Sequence, residues 1–600
     1  MATDADEAPL LADEPLRPGS CSRELELREF RDRYVFRSLD GGGAFAVARS
    51  DGSLRPLSPD EAAAAGSESD CKVSKIYGVA GMIRLLAGSY VLVITSRKDA
   101  GSYGASTVYH ANSMKFLCCN EAIKHLTSEE KRDEAYFMSL LRIAETTCGL
   151  YYSYDRDLTL NLQRASKLAA GRVHKPLWKQ ADPRFVWNRN LLEELIEAKL
   201  DEFITPLIQG SFQTEQFTLK DRLVRITLFS RRCNRRLGTR MWRRGANLEG
   251  ATANFVETEQ LVEYEVLTSS FIQVRGSIPL LWEQIVDLSY KPRPIIIEHE
   301  EMTKVVERHF HDLSQRYGDT MVIDLTDKQG DEGNLSNAFA AEMQNFPDIR
   351  YVHFDFHHIC GGGNFDNLQV LYDEVEEVIQ KQGYFLMDSK GEILLDQSGV
   401  IRSNCIDCLD RTNVTQSFFA RKSLDSQLQQ MGALSSAESI SQSDSINDKF
   451  KKLWVEHGDE LSLEYAGSYA LKGDLVRYGR QTLPGLIKDG MSAISRYYLN
   501  NFHDGVRQDA LDLISGYYTV SKSSSPFQII GFESAPYLPV ASAIIVGGIT
   551  VTTFTLSQVG RSAQHLISSI IFAGLTAGVA ALVKANGKQL CSRPRLCGLI

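Results

Sequence analysis

Residues Arg402–Asn413 read RSNCIDCLDRTN, and within them Cys405 and Arg411 stand as Cys-x5-Arg. That spacing wraps one turn of backbone around a phosphate dianion, with sulfur beneath the phosphorus and a guanidinium on the oxygens. The apolar run in Glu392–Val400 suits a strand. Thr412–Leu424 suits a helix, with Val414 and Phe418 one turn apart on one face. A loop joining strand to helix N-terminus points unpaired N–H groups and the positive end of the dipole at an anion. The same field is expected to lower the pKa of Cys405 and supply thiolate near neutral pH. Cys405 is therefore read as the nucleophile, forming a cysteinyl-phosphate that water hydrolyses. Arg411 is read as the bidentate clamp, a planar fork that lysine cannot present, gripping harder as charge develops in the transition state.

The departing alkoxide needs a proton. Asp407, two residues after the nucleophile, is the nearest donor, and Asp410 is the other. Two charged acids beside a thiolate would raise its pKa. At least one must then be protonated, paired with Arg411 or turned away. Asp407 serves equally well as a backbone-bonding turn residue, and Thr412 either positions a water or the thiolate, or caps the helix. Ile406, Cys408, Leu409, Asp410, Thr412 and Asn413 complete the expected substrate-binding loop. Other readings are a buried structural cysteine and a Cys405-x-x-Cys408 redox pair or half zinc site. No second Cys-x-x-Cys accompanies it, and a redox motif has no use for Arg411. A reversible Cys405–Cys408 disulfide stays open as a regulatory device. His357 and His358, near Asp355 and Cys360, would point to opposite faces of a strand. No metal and no cofactor is expected.

The run RSNCIDCLDRTN matches the RxNCxDCLDRTN signature of the Sac family of phosphoinositide phosphatases at every fixed position. Tyr151–Arg164, Asp182–Asn188, Ser230–Glu259, Ser270–Trp282, His353–Cys360 and Arg496–Leu513 resemble that family too, so the likeness runs from about Ser74 to Ser515. The chain most resembles a Sac1-like enzyme of the plant transmembrane subgroup. The resemblance implies metal-free hydrolysis of an inositol-ring monophosphate in membranes, phosphatidylinositol 4-phosphate first and the 3-phosphate second. One departure is local: HHICGGG at His357–Gly363 lacks the lysine that related chains often carry after the cysteine, so this loop brings less charge. The loop interior, Ile406–Asp410, has no lysine for further phosphates either, which favours a single ring phosphate. Two alternatives remain. A protein tyrosine phosphatase would use the same loop, against which the acidic loop residues and the membrane anchor count. A catalytically silent phosphoinositide-binding tether is opposed by intact Cys405 and Arg411.

Six hundred residues, 43% of them hydrophobic, suggest several domains with large cores. The expected class is mixed α/β and α+β. Residues 1–22 read as a disordered tail carrying a loose acidic dileucine pattern at Asp6–Leu11, and no signal peptide. Residues 23–208 read as a mixed-sheet N-terminal Sac subdomain, with a hairpin in Val73–Thr95 and a helix over Thr127–Glu145 capped by Thr127 or Ser128. Residues 209–515 read as an α/β cysteine-phosphatase-like catalytic domain with a largely parallel sheet. Its strands are expected near Ile226–Phe229, Ile295–Glu298, Met321–Asp324 and Tyr351–Phe356, and its helices over Leu335–Gln344 and Leu368–Lys381. Ligands of such sheets bind beyond the strand C-termini, where the loop falls. Gln429–Lys449 reads as a flexible serine-rich insertion. A linker (516–536), a two-helix transmembrane hairpin (537–583) and a basic tail (584–600) follow.

The net charge of −10 argues against a nucleic-acid binder. Residues 220–244 nonetheless hold ten lysines and arginines against Asp221. Arg231, Arg232, Arg235, Arg236 and Arg240 are the expected headgroup contacts, the alternative being a salt-bridged surface. Eleven scattered cysteines fit a reducing compartment. Leu538–Leu556 and Leu566–Val583 carry no charge, and each is close to the ~28 Å a helix needs to span. Lys584, Lys588, Arg593 and Arg595 outweigh Arg561 in the connection, which puts both ends in the cytosol. The short spans suit endoplasmic-reticulum or Golgi and post-Golgi membranes. Cys591 and Cys597 are candidate acylation sites. A phosphoinositide in the membrane is the one partner expected; protein partners are not legible.

Overall fold

The computed structural model describes residues 21–68, 70–168, 175–478, 482–521, 537–557 and 563–597. Residues 1–20 with the dileucine pattern, most of the linker (522–536) and the connection holding Arg561 lie outside the described residues; Cys21 and Ser22, expected in the disordered tail, are buried. The chain divides into two compact units: Met1–Ala135 with Leu150–Gln209, and Tyr136–Gly149 with Gly210–Ile600.

Each sheet of the first unit is antiparallel throughout, not mixed as expected. One runs in the order Leu54–Leu57, Ala44–Ala48, Arg33–Ser38, Leu25–Glu29, Lys72–Ile76; the other runs Ile208–Gln209, Leu150–Tyr152, Ser106–Cys119, Ser89–Tyr103, Val79–Arg84. The cause is local. Short turns join Leu25–Glu29 to Arg33–Ser38 to Ala44–Ala48 to Leu54–Leu57, and Val79–Arg84 to Ser89–Tyr103 to Ser106–Cys119, and strands so joined pair antiparallel. The expected hairpin turns at Gly88, whose φ of 151° and contact with the Cys119 carbonyl exclude a side chain. Phe36 stacks on Phe45 at 4.6 Å, and Phe203 closes edge-on at 4.8 Å, inside a core with Leu25, Leu27, Val91 and Val93. The Ser128–Glu145 helix starts with a capping box. The Thr127 hydroxyl accepts the Glu130 N–H at 3.2 Å, and the Glu130 carboxylate accepts the Thr127 N–H at 2.7 Å.

The second unit is built on a nine-stranded sheet that is parallel over only part of its width. Phe212–Leu219, Arg222–Arg232, Val256–Tyr264 and Leu267–Ser277 form an antiparallel meander. Lys220 and Asp221 both take positive φ (48° and 61°), the two-residue turn that suits a twisted hairpin. Gly399–Cys405 then pairs parallel with Leu267–Ser277 on one side and Asp319–Asp324 on the other, and Arg350–His353 extends the parallel half. Ser277 stands opposite Cys405, and Asn404 opposite Asp324, so three strands end at one edge. Helix Asp410–Gln430 begins two residues earlier than expected and packs Val414, Phe418 and Phe419 against Ile401, Phe271 and the Leu368–Gln382 helix. The strand expected over Tyr351–Phe356 stops at His353, and Phe356–Ile359 is a short helix. The serine-rich stretch is not a loose insertion. Ser439 bonds Asp425 at 2.7 Å, Ile440 is buried, and a helix starts at Asp444.

Helices Tyr537–Ser557 and Ala563–Ala585 pack antiparallel: the Ser569 hydroxyl donates to Thr555 Oγ1 at 2.7 Å, and Gly548 lies against Thr576. Among the described residues Leu566–Ala585 alone is long and apolar enough to cross a membrane; Ile544–Ser557 is shorter. The basic tail folds back onto the second unit. Cys591 is buried with Met241, Trp242 and Val286, the Ser592 N–H donates to the Asn501 carbonyl at 2.7 Å, and the Arg595 N–H donates to Asp509 at 2.8 Å. Burial makes Cys591 a poor acylation site; Cys597 is partly exposed.

Candidate active site

Cys405 closes the central strand and the Asp410–Gln430 helix follows after four residues, so the loop sits at a strand-to-helix junction. Its backbone is held from outside. Arg244 donates to the Ile406 carbonyl at 2.7 Å, and the Tyr465 hydroxyl donates to the Cys408 carbonyl at 3.0 Å. Cys408 takes φ 55°, uncommon for a residue with a side chain. Arg402 is fully buried and bonds the Gly276 and Ser277 carbonyls at 3.1 and 2.7 Å, fixing the neighbouring strand end.

A cleft of about 400 Å³ opens beside the loop. Of the residues expected to act, Ile406, Asp407, Asp410, Arg411 and Arg240 line it. Cys405 does not; it is fully buried beneath them. Cys408, Leu409 and Asn413 face the interior instead. Leu409 packs with Val256, Leu461 and Tyr465. The Asn413 amide donates to the Trp454 carbonyl at 2.7 Å and accepts from Arg275 at 3.1 Å. These three, expected in the substrate-binding loop, do not line the cleft: Cys408 and Leu409 turn inward just before the helix and Asn413 in its first turn. Thr412 is buried, its hydroxyl lacks a hydrogen-bond partner, and it is not the cap, since the helix starts before it.

The charges are arranged as a closed lock. Arg411 bonds Glu332 at 2.8 and 3.3 Å and the Leu325 carbonyl at 3.2 Å, with Asp327 at 3.5 Å. Asp407 bonds Arg240 at 2.7 Å. Burial pushes the Cys405 thiol far up; Arg411 opposes this, and Asp407, Cys408 and Glu332 add to it. Burial thus opposes the thiolate expected near neutral pH, with Asp407 and Glu332 acting in the same direction and Arg411 against them. The two loop acids separate. Burial acts to raise Asp407, but Arg240, Arg411 and Arg244 outweigh it and hold the carboxyl well below its usual range. Asp410 is raised, by burial above all, with Arg496 opposing and Asp407 adding. The ordering runs against Asp407, expected as proton donor, and favours Asp410 as the more readily protonated of the two.

Part of the basic stretch turns inward rather than out, while Lys220 and Arg222 stay exposed. Arg231 is fully buried between Glu257 (3.1 Å) and Glu259 (2.7 Å), whose other oxygens take the Tyr317 and Ser270 hydroxyls. Arg232 donates to the Gly238 carbonyl, and Arg236 to the Arg244 carbonyl at 2.7 Å; both are buried. Arg235 pairs with Asp312 at 2.8 Å and is partly exposed. Arg240 is engaged with Asp407. Arg231, Arg232 and Arg236 tie strands and loops together, so for these three the expected headgroup contact is corrected to an internal network, while Arg240 lines the cleft and Arg235 is partly exposed. Charged residues that escaped the sequence reading but line the cleft include Lys291, Asp327, Glu332 and Lys472, while Arg244 belongs to the basic stretch already singled out. Nothing local marks the four, since they reach the cleft from segments far from the loop in sequence. Arg496, inside the family-like Arg496–Leu513 segment, was within reach. His357 also lines the cleft and bonds Asp327 at 2.7 Å. Among the described residues no three His, Cys, Asp or Glu side chains are grouped to hold a metal.

The SacI homology domain matches residues 77–361. Phosphoinositide phosphatase SAC8 of Arabidopsis thaliana is 60% identical over 579 residues, 96% of this chain and 98% of its own. Phosphoinositide phosphatase SAC6 of the same plant is 47% identical, covering 95% of this chain and 98% of its own. Phosphatidylinositol-3-phosphatase SAC1-A of Danio rerio is 36% identical, covering 87% of this chain and 89% of its own.

Proposed function

The chain belongs to the Sac family of phosphoinositide phosphatases, and from that premise we propose that it hydrolyses the ring monoester of a monophosphorylated phosphatidylinositol, the 4-phosphate first and the 3-phosphate second. It is a phosphatidylinositol phosphate phosphatase associated with membranes. The zebrafish relative's name assigns the 3-phosphate to that protein, which supports a ring monophosphate here. The observation that carries the reading is Cys405 and Arg411 at a strand-to-helix junction beside a cleft lined by six lysines and arginines and five carboxylates.

In the proposed cycle Arg411 leaves Glu332 for the phosphate oxygens. The Cys405 thiolate attacks phosphorus, the P–S bond forms and the P–O bond to the ring breaks. Asp410 gives its proton to the departing alkoxide. Water then attacks the cysteinyl-phosphate, returns a proton to Asp410 and releases phosphate and the thiolate. Lys291 and Lys472 at the cleft wall suit the second anion of this substrate, the diester joining ring to glycerol. The two C-terminal helices are proposed as a transmembrane hairpin with both ends cytosolic, in endoplasmic-reticulum or Golgi and post-Golgi membranes. The test is rapid quenching during turnover of labelled lipid. It should yield a phosphorus–sulfur linkage at position 405, and Cys405→Ser should release no phosphate. A clear preference for bisphosphate lipid over monophosphate in the same assay refutes the single-phosphate reading, and phosphopeptide turnover exceeding lipid turnover favours a protein phosphatase.

A further inference from the structure

Helix Leu483–Phe502 is amphipathic in an unusual sense. One side is buried through Ser492, Arg496 and Asn500, and it reaches the cleft, where Arg496 meets Asp410 at 3.4 Å. The opposite side is apolar and open. Leu483, Leu486, Ile487, Met491, Ile494 and Tyr498 recur three, four or seven-to-eight residues apart and are 53–73% exposed. Single exposed apolar side chains are ordinary; six in one stripe mark a docking surface.

The tail indicates what docks there. Helix Leu566–Ala585 can cross a membrane, and two residues later Gly587 already touches the Asp287 carbonyl. Ser592 bonds Asn501, at the end of the exposed helix, and Arg593 lies against Gly505 in the next turn. From Ala585 to Ser592 is at most ~25 Å of extended chain. The open apolar stripe is thereby held close to the point where the chain leaves the bilayer. Lys488 beside it is paired with Asp459 at 3.3 Å, and Lys588 and Arg593 sit on the adjoining tail, cations that suit an anionic leaflet.

We propose that the Leu483, Leu486, Ile487, Met491, Ile494 and Tyr498 face is a bilayer-seating surface, which the docked tail holds against the membrane that carries the chain's own span. The occupant is phospholipid. The consequence for catalysis, that the cleft works on lipid in that same membrane, rests on the phosphatase reading above; the seating itself does not.

The experiment uses the full chain reconstituted in phosphatidylcholine–phosphatidylserine vesicles. Met491→p-benzoylphenylalanine and Ile494→p-benzoylphenylalanine should each yield phospholipid adducts on irradiation. The same residue at Val370, exposed on another helix, should yield none. Adducts to protein at 491 and 494, whether a second copy or another part of the chain, overturn the proposal, as does the absence of lipid adducts. A kinetic arm uses Met491→Ser with Ile494→Ser. It should lower kcat/KM on phosphatidylinositol 4-phosphate in vesicles by about tenfold, with turnover of its soluble dibutyryl analogue unchanged. Equal loss on both substrates overturns the seating role. Failure of the unaltered chain to hydrolyse the soluble analogue counts against the phosphatase reading alone, since the adducts still decide the surface.

Discussion

Glu332→Gln is expected to activate the enzyme. In the closed arrangement Glu332 holds Arg411 through two bonds of 2.8 and 3.3 Å, with side chains only 15% and 11% exposed. Unit charges ~4 Å apart attract by about 4 kcal/mol at an effective dielectric near 20. Most of that is offset by the desolvation of both groups. A charge-assisted bond between them contributes roughly 1.5–3 kcal/mol net, about twice a neutral one. Glutamine keeps the shape and one neutral bond, so the hold weakens by roughly 1–2 kcal/mol, a factor of about 5–30 in the equilibrium between held and released Arg411. The same change removes one of the charges that raise the Cys405 thiol. Two measurements follow on reconstituted protein: kcat/KM on monophosphate lipid, and the rate of Cys405 alkylation by iodoacetamide without substrate. Both should rise, turnover by about 5–30-fold and alkylation most visibly at neutral pH. Asp327→Asn, which touches Arg411 only at 3.5 Å, should give a smaller rise. Turnover that falls in Glu332→Gln while the protein stays folded refutes the lock and makes Glu332 a residue that aims Arg411 in the working state.

Asp410→Asn should lower kcat by about 10²-fold or more, whereas Asp407→Asn should lower it less, because Asp407 is held ionised by Arg240. A proton donor acts only below its pKa, and that of Asp410 is raised. Its ionisation should therefore appear as a loss of kcat as pH climbs past the ordinary carboxylate range, and that limb should vanish in Asp410→Asn. A surviving limb returns the role to Asp407. Arg231→Met leaves Glu257 and Glu259 buried without their cation, so it should cost about 3–5 kcal/mol in chemical denaturation, with vesicle binding unchanged at permissive temperature. Normal stability with lost vesicle binding would instead restore the surface reading of that arginine.

The loop was legible because its chemistry is local. Strand, nucleophile, turn, clamp and helix lie within about thirty consecutive residues, and the apolar runs that make Gly399–Cys405 a strand and Asp410–Gln430 a helix are visible without tertiary information. The antiparallel meander was less legible. Its turn at Lys220–Asp221 uses two residues of positive φ that carry none of the usual glycine or asparagine signal, and in a run of basic residues they read as charge. The arginine run misled for a related reason. In Arg231 and Arg232 the strand carries cations whose carboxylate and carbonyl partners come from Glu257, Glu259 and Gly238, and composition records a charge without recording its partner.

That limit explains why the loop acids could not be ranked from sequence. Asp407 and Asp410 are three residues apart with the same intrinsic chemistry. What distinguishes them is Arg240, 167 positions before Asp407, and Arg496, 86 positions after Asp410. The first contact is short, at 2.7 Å, and Arg411 and Arg244 add to it, so together they override burial; the second is longer, at 3.4 Å, and burial prevails. The helix that bears Arg496 is the same one whose far side is open and apolar. A force that seats that helix therefore bears on the Arg496–Asp410 contact, and a closer arginine would lower the Asp410 carboxyl that burial now raises.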